Sequence, residues 1–212
     1  MEEGTYRSLS SLDGKIDFCS NDYLGLAKIK TINNQEVNYG STGSRLISGN
    51  ASISEKCESY LAHFFNSEDA LVFNSGYDAN LGFFSSVPQK GDLVIFDEKI
   101  HASIRDGIRL SFAKHHSFSH NSLEDLEKKL QLSAETKYVA IESLYSMDGD
   151  MAPILQMLEI CKKYNAHLIV DEAHAFGVFG YGLVDKFQLK DKVLATVVTY
   201  GKALGTHGAA IL

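Results

Sequence analysis

The sequence contains only two prolines, three cysteines and no tryptophan among its 212 residues. It also has no low-complexity segment, internal repeat or Ser/Gly-rich linker, so nothing marks a domain boundary from about residue 35 to the end. The three cysteines (Cys19, Cys57 and Cys161) are odd in number and lie far apart within apolar patterns. We interpret them as reduced thiols of a cytoplasmic protein rather than as a disulfide framework.

Positive charge is scarce as well, because 20 Lys and Arg residues face 27 Asp and Glu residues, giving a formal net charge of −7. No basic patch dominates the chain, which argues against nucleic acid as the main partner. No apolar run is long enough to cross a bilayer, and the acidic start Met1–Gly4 lacks a signal-peptide core. These absences leave a globular protein that is not embedded in a membrane.

What the chain does have is a regular alternation of strand and helix patterns. Short β-branched or apolar runs predict strands, and apolar residues at helical spacing predict helices between them. The predicted strands are 70–73, 93–96, 138–141, 167–170 and 194–198, and the predicted helices are 52–66, 76–85, 101–110, 123–130 and 154–164. The alternation predicts an α/β fold with a mainly parallel sheet and helices on both faces. We divide the chain into an N-terminal segment (1–34) and one domain (35–212).

Reactive side chains follow two of these predicted strands. Lys202 lies after the strand at 194–198 between glycines, where a solvated charge is a poor explanation. The strand at 167–170 ends in Asp171, with His174 three residues later. Ligands of parallel sheets bind beyond the carboxyl ends of the strands. An amine, a carboxylate and an imidazole at neighbouring strand ends are the groups that hold pyridoxal phosphate (PLP).

Each of these residues also has a simpler explanation. Lys202 could be a surface lysine in a turn and Asp171 a helix N-cap. His101, a further candidate that follows the predicted strand at 93–96, could be a polar residue at a helix start. No structural role requires Lys202, Asp171, His174 and His101 together, so we favour the functional interpretation.

Two other functions are suggested by short patterns and are not supported by the rest of the sequence. The run Asp171-Glu172-Ala173-His174 matches the DEAH motif of helicases, but the phosphate loop GxxxxGK[ST] that such enzymes need is absent. His115, His116 and His120 could suggest a metal site, but no carboxylate or cysteine in their segment completes a ligand set. We therefore predict no helicase activity and no metal.

Seven motifs resemble those of the α-oxoamine synthases, and they occur in that family's order. They are SNDYLGL (20–26), GSTGSRLISGN (40–50), NSGYDAN (74–80), DEKIHAS (97–103), ESLYSMDGD (142–150), VDEAHAFG (170–177) and TYGKALG (199–205). The family consists of fold-type-I PLP enzymes that join an amino acid to an acyl thioester with loss of carbon dioxide. The resemblance implies a PLP-binding large domain and a homodimer with sites at the subunit interface. It also implies that most of the family's small C-terminal domain lies outside this sequence.

The resemblance further implies a role for each matching residue. Lys202 would form the Schiff base with PLP and move protons, Asp171 would pair with the ring nitrogen, His174 would contact the ring hydroxyl and His101 would stack on the ring. The remaining implied contacts are Ser75, Gly76, Tyr77 and Thr199 at the phosphate, Ser146 near the ring oxygen, and Asn21 and Arg7 at the substrates.

The end motif Gly205–Leu212 resembles that of the 8-amino-7-oxononanoate synthase branch, which condenses L-alanine with a pimeloyl thioester in biotin synthesis. The acyl carrier would be coenzyme A or a carrier protein. Two other branches stay open: 2-amino-3-ketobutyrate CoA ligase and serine palmitoyltransferase. An alternative of another class is a non-catalytic PLP-binding or scaffolding fragment, since the small domain would supply a substrate-binding arginine.

Overall fold

The computed structural model describes residues 20–26 and 43–212 of the chain. Over residues 43–212 it has seven strands and six helices in alternation. The strands are β1 (Leu71–Phe73), β2 (Leu93–Asp97), β3 (Lys114–Phe118), β4 (Lys137–Glu142), β5 (Ala166–Asp171), β6 (Ala195–Thr199) and β7 (Ala209–Ile211). The helices are α1 (Ser52–Phe65), α2 (Gly76–Ser86), α3 (Ala102–Leu110), α4 (Leu123–Leu130), α5 (Ile154–Lys163) and α6 (Leu183–Lys186). Arg7 and the predicted boundary near residue 35 lie outside the described residues.

All seven strands form one sheet in the order β1-β7-β6-β5-β4-β2-β3. The pairs β2/β3, β2/β4, β4/β5 and β5/β6 are parallel, whereas β7 is antiparallel to both β6 and β1. The predicted mainly parallel sheet is therefore confirmed. Because β2, β4, β5 and β6 run in the same direction, their carboxyl ends meet along one edge of the sheet.

Helices cover both faces of this sheet, as the alternation predicted. Along β4, Val139 and Ile141 pack into a cluster with residues of α4 and α5, whereas Tyr138 and Ala140 pack against residues of α2 and α3. Successive side chains of a strand point to opposite faces, so a strand buried on both sides is apolar throughout. This explains why β4, β5 and β6 appear in the sequence as continuous apolar runs.

The apolar face of helix α1 is largely exposed. The N-cap of the helix is Ala51, which makes no side-chain capping bond. Of the apolar residues at helical spacing along α1, Tyr60 and Phe64 are exposed and Phe65 is buried. Helical spacing identified an apolar face correctly, but spacing does not say which surface covers it.

Helices α2 and α3 approach each other closely at Gly107. A Cβ atom built on Gly107 would lie 2.8 Å from Phe84 Cβ and 3.0 Å from the Asn80 carbonyl oxygen. The glycine allows the two helices to pack with Asn80 of α2 beside Ser103 of α3, and both side chains are buried. This contact places a polar pair beneath the carboxyl edge of the sheet.

One short helix, α6 (Leu183–Lys186), was not predicted, since four residues are too few for a recognisable apolar period. Among the helices that the structure describes, none combines the length and the apolar character that crossing a membrane requires.

Candidate active site

Strand register brings the predicted residues together at the carboxyl edge. In the β4/β5 pair Glu142 lies beside Asp171, and in the β5/β6 pair Asp171 lies beside Val197. Lys202 follows β6 by three residues, so its side chain reaches the same edge. The prediction that these strand ends share one site depends on this register, because a slip of one residue would turn each side chain to the other face.

The Lys202 amine is in contact with His174. Its Nζ atom lies 2.8 Å from His174 Nε2, and the other ring nitrogen of His174, Nδ1, lies 2.9 Å from the hydroxyl oxygen of Tyr23. The Tyr23 hydroxyl in turn donates to Asn21 Oδ1 at 2.9 Å. The segment 20–26 thereby reaches a site built by strands more than a hundred residues later in the chain.

The surroundings of Lys202 and His174 favour their neutral forms. Burial lowers the pKa of the Lys202 amine, although the carboxylates of Asp171 and Glu142 oppose this change. Burial also lowers the pKa of His174 to about 4, and the neighbouring Lys202 and His101 act in the same direction. Only the neutral amine has a free electron pair, so a lowered pKa makes Lys202 better suited to attack an aldehyde or to accept a proton.

Asp171 is held by two donors. Asn80 Nδ2 donates to Asp171 Oδ2 at 2.7 Å, and the backbone N–H of Ala173 donates to Oδ1 at 2.8 Å. The same Asn80 nitrogen lies 3.1 Å from Ser103 Oγ, which lies 2.8 Å from His101 Nδ1. A continuous set of hydrogen bonds therefore connects Asp171 to His101 through Asn80 and Ser103.

Glu142 holds the backbone of His101, and the pKa of its carboxyl group is raised. Its Oε1 accepts a hydrogen bond of 2.7 Å from the His101 backbone N–H. Burial, together with the charge of Asp171, raises the pKa of the Glu142 carboxyl to about 8. Burial also lowers the pKa of the His101 ring. At neutral pH the site therefore contains a carboxylic acid and two uncharged imidazoles.

The start of α2 forms one wall of the site, beside Thr199 and His101. Ser75 is the N-cap and accepts a hydrogen bond from the Asp78 N–H, so the N–H groups of Gly76 and Tyr77 precede the first bonded turn. A Cβ on Gly76 would lie 3.5 Å from the Thr199 Cβ and 3.6 Å from its hydroxyl. Glycine thus leaves a small space between a helix N-terminus and a hydroxyl, which is suited to an anion.

Tyr77 and His101 present their rings to each other at this wall. The ring centroids lie 6.3 Å apart in an edge-to-face arrangement, and the Tyr77 hydroxyl donates to Asp106. Asp106 is therefore a support for Tyr77.

Two site residues remain predictions. Ser146 is exposed in the turn that follows β4, and Arg7 lies outside the described residues. Conversely, sequence reasoning gave Asn80 and Ser103 little weight and did not single out Tyr23. All three lie within the motifs 74–80, 97–103 and 20–26, so the motif boundaries were the available signal.

The neighbourhood of His120 corrects the argument against a metal. His120 Nδ1 lies 2.9 Å from Asp97 Oδ1, and Nε2 lies 2.7 Å from Asp150 Oδ2, so folding does bring carboxylates to this histidine. Donor atoms of His120, Asp148 and Asp150 all lie within 4.8 Å of one another. His115 and His116 are exposed on β3 instead. Because carboxylates occupy both ring nitrogens, we interpret this group as an ion-pair cluster around an imidazolium.

The residues at the carboxyl edge fit PLP on chemical grounds. A phosphate suits the space beside Gly76 and Thr199, a ring nitrogen suits the carboxylate of Asp171, and an aldehyde suits the amine of Lys202. Asn80 Oδ1, which is buried and has no partner among the described residues, marks polar capacity still available beside Asp171.

Comparisons with known proteins agree with this geometry. The family model "Aminotransferase class I and II" matches residues 13–212. A relative from Emericella nidulans named 8-amino-7-oxononanoate synthase is 42% identical over an alignment of 225 residues. The alignment covers 93% of this chain and 55% of the relative. A solved structure of 8-amino-7-oxononanoate synthase from Francisella tularensis is 31% identical with a TM-score of 0.72, over 94% of this chain and 58% of that one.

A serine palmitoyltransferase from S. paucimobilis, described with a bound PLP–myriocin adduct, is 39% identical with a TM-score of 0.77, over 82% of this chain and 45% of that one. These matches confirm the resemblance to α-oxoamine synthases, the fold class and the assignment to a PLP-dependent family. The chain spans about half the length of the curated relatives it matches.

Proposed function

The chain belongs to the aminotransferase class I and II family, and we propose that it carries the PLP-binding half of an enzyme that condenses an amino acid with an acyl thioester and releases carbon dioxide. The observation that carries the proposal is the partly buried Lys202 amine, 2.8 Å from His174 and on the sheet edge where Asp171 ends β5. Nothing about packing requires a partly buried lysine at this place.

Each residue then has a task toward the cofactor. Asp171 would hold the ring nitrogen, His174 the ring hydroxyl and His101 the ring face, as the resemblance implies. The N-terminus of α2 at Ser75–Tyr77 and the Thr199 hydroxyl would hold the phosphate. PLP, when bound, supplies an electron-withdrawing ring that stabilises negative charge at the α-carbon of an attached amino acid.

The protein's own contribution is to move protons. Burial lowers the pKa of the Lys202 amine and so favours its neutral form, which can take a proton from the α-carbon and return one later. Asn80 and the Ala173 N–H hold the Asp171 carboxylate in one orientation. The carboxylate would therefore stay directed at the ring nitrogen of the cofactor throughout the reaction.

We propose L-alanine and a pimeloyl thioester as substrates, since the end motif Gly205–Leu212 and the names of the curated relatives point to this branch. Glycine with acetyl-CoA and L-serine with palmitoyl-CoA are the alternatives. The proposal includes residues 35–212 as the cofactor domain, Asn21, Arg7 and Ser146 as contacts of substrate or intermediate, a homodimer and a cytoplasmic location. The free thiols of Cys57 and Cys161 favour that location.

Covalent trapping of PLP tests the proposal. The protein is incubated with PLP, reduced with borohydride and digested, and the modified peptide is identified by mass spectrometry. We expect modification at Lys202, none in Lys202→Ala, and unchanged modification in Lys128→Ala, whose lysine is exposed on α4. Modification spread over surface lysines, with Lys202 unmodified, would contradict the proposal.

Product analysis then separates the candidate functions. Each amino acid is supplied with its thioester, and carbon dioxide and aminoketone are measured. Release with L-alanine and pimeloyl-CoA supports the proposed branch, and release with another pair supports an alternative one. Trapping at Lys202 without any product would favour the non-catalytic PLP-binding fragment.

A further inference from the structure

Four side chains form a row that leads from the site towards solvent. Lys202 Nζ lies 2.8 Å from His174 Nε2, His174 Nδ1 lies 2.9 Å from the Tyr23 hydroxyl, and this hydroxyl lies 2.9 Å from Asn21 Oδ1. Trapping of PLP tests Lys202 alone. The implied contact of His174 with the ring hydroxyl does not explain what holds the His174 ring in place. Tyr23, and its hydrogen bond to Asn21, are therefore unexplained by the proposed function.

The proton positions in this row follow from what each group can donate. A phenol has a single proton, and the Asn21 carbonyl oxygen can only accept one. Since the Tyr23 hydroxyl donates to Asn21 Oδ1, it must accept from its other neighbour, His174 Nδ1. A neutral imidazole carries one N–H, so His174 Nε2 is left with an electron pair directed at the Lys202 amine.

We propose that Tyr23 is a positioning residue that holds His174 as the Nδ1–H tautomer, and that Asn21 sets the direction of the Tyr23 hydroxyl. The inference deepens the proposed function and rests on it for its significance. A His174 ring in this tautomer accepts a hydrogen bond at Nε2 from Lys202 or from a cofactor hydroxyl. The opposite tautomer would present an N–H to the amine and compete for its electron pair.

Burial supports a neutral, single tautomer. The His174 side chain is buried, and burial together with nearby Lys202 and His101 lowers the pKa of its ring. A ring that stays uncharged at neutral pH needs one donor and one acceptor contact, and the row supplies both. Tyr23 belongs to a segment far from His174 in the chain, so this support exists only when residues 20–26 are docked.

Nitrogen NMR of the protein with 15N-labelled histidine rings tests the inference directly. Protonated and unprotonated ring nitrogens have well-separated shifts, and His174→Gln identifies the signal. We expect Nδ1 to be the protonated nitrogen of His174 in the unsubstituted protein. Tyr23→Phe should shift the population towards Nε2–H, while Tyr181→Phe, at another exposed tyrosine, should leave it unchanged. A predominant Nε2–H form in the unsubstituted protein would overturn the proposal.

Two substitutions at Asn21 test whether the direction of the Tyr23 hydroxyl matters, rather than only its contact with residue 21. Asn21→Asp keeps an acceptor and should retain the Nδ1–H form, whereas Asn21→Leu frees the Tyr23 proton and should allow the other tautomer. Equal spectra for these two variants would also overturn the proposal. The NMR readout needs no cofactor, so it can fail while trapping at Lys202 succeeds, or the reverse. We further expect about tenfold weaker PLP binding by Tyr23→Phe, the size of one lost hydrogen bond.

Discussion

Ionisation of Glu142 should lower the stability of the fold. It is buried beside Asp171, its pKa is raised to about 8, and it accepts the backbone N–H of His101. Protonation therefore accompanies folding: between the pKa of an unfolded glutamate and about 8, the folded protein binds the extra proton. Stability should fall as pH rises through this window, by up to about 1 kcal/mol per pH unit.

We predict that Glu142→Gln reduces this loss, because glutamine keeps an acceptor for the His101 N–H and has no charge to bury. Urea unfolding of both proteins between pH 6 and 9 measures the difference. The free energy of unfolding of the variant, relative to the unsubstituted protein, should rise with pH. Glu124→Gln, at an exposed position on α4, serves as the control and should leave the slope unchanged. A pH-independent difference would show that burial of the charge is not the cause.

Between elements, the His120 cluster (Asp97, His120, Asn121 and Asp150) joins three parts of the chain. Asp97 ends β2, His120 and Asn121 lie between β3 and α4, and Asp150 lies between β4 and α5. Asn121 donates its backbone N–H to Asp97 at 2.9 Å and its side-chain nitrogen to Asp150 at 2.8 Å. These loops also carry His101 and Ser146, so the cluster anchors one wall of the candidate active site.

We predict that His120→Ala lowers the free energy of unfolding by about 3 kcal/mol, because it leaves the buried Asp97 without its cationic partner. His116→Ala, exposed on β3, should change stability by less than about 0.5 kcal/mol. Chemical unfolding of the two variants measures both values, and equal losses would contradict the role of the cluster.

The stabilisation by the His120 cluster also falls as pH rises, but its cause differs from that at Glu142. At Glu142 burial favours the neutral acid, whereas at His120 hydrogen bonds to carboxylates favour the charged imidazolium. Burial acts to lower the pKa of His120, but its hydrogen bonds to Asp97 and Asp150 outweigh this and raise it. The stabilisation is therefore complete below the unfolded pKa of histidine and is lost as pH rises through the higher folded pKa. The stability difference between the unsubstituted protein and His120→Ala should shrink in alkaline solution.

For the molecule as a whole, the prominent feature is an apolar surface near α1. Leu46 and Ile47, which precede α1, are 97% and 87% exposed. Tyr60 and Phe64 of α1 are exposed as well, and Phe64 packs edge-to-face on the exposed Tyr181. Apolar side chains on a surface favour association, and the resemblance implies a homodimer. We therefore propose this surface as part of that interface.

We predict that the protein elutes with the mass of a dimer in size-exclusion chromatography with light scattering. Leu46→Glu combined with Ile47→Glu should shift the mass towards that of a monomer, since two buried charges would oppose association. Phe112→Glu, at a side chain that is 82% exposed between α3 and β3, should leave the mass unchanged. If only the Phe112 variant dissociated, the interface would lie elsewhere.

Local pattern was enough to predict the alternation of strands and helices apart from α6, the covering of both sheet faces, and the reactive side chains that follow the strands. Periodicity is a property of neighbouring residues, so β5 ending at Asp171 and β6 followed by Lys202 could be predicted from short windows of sequence. The motifs then supplied the family, because glycines and reactive residues at set spacings are rare together.

Folding was needed for whatever depends on residues distant in the chain. The contact of Tyr23 with His174, the support of Asp171 by Asn80, and the carboxylates around His120 each follow from strand register and helix packing. The exposure of the α1 face likewise depends on what packs against it. No local pattern encodes these pairings, because each joins residues that are far apart in the sequence. Such residues become neighbours only when the whole core packs.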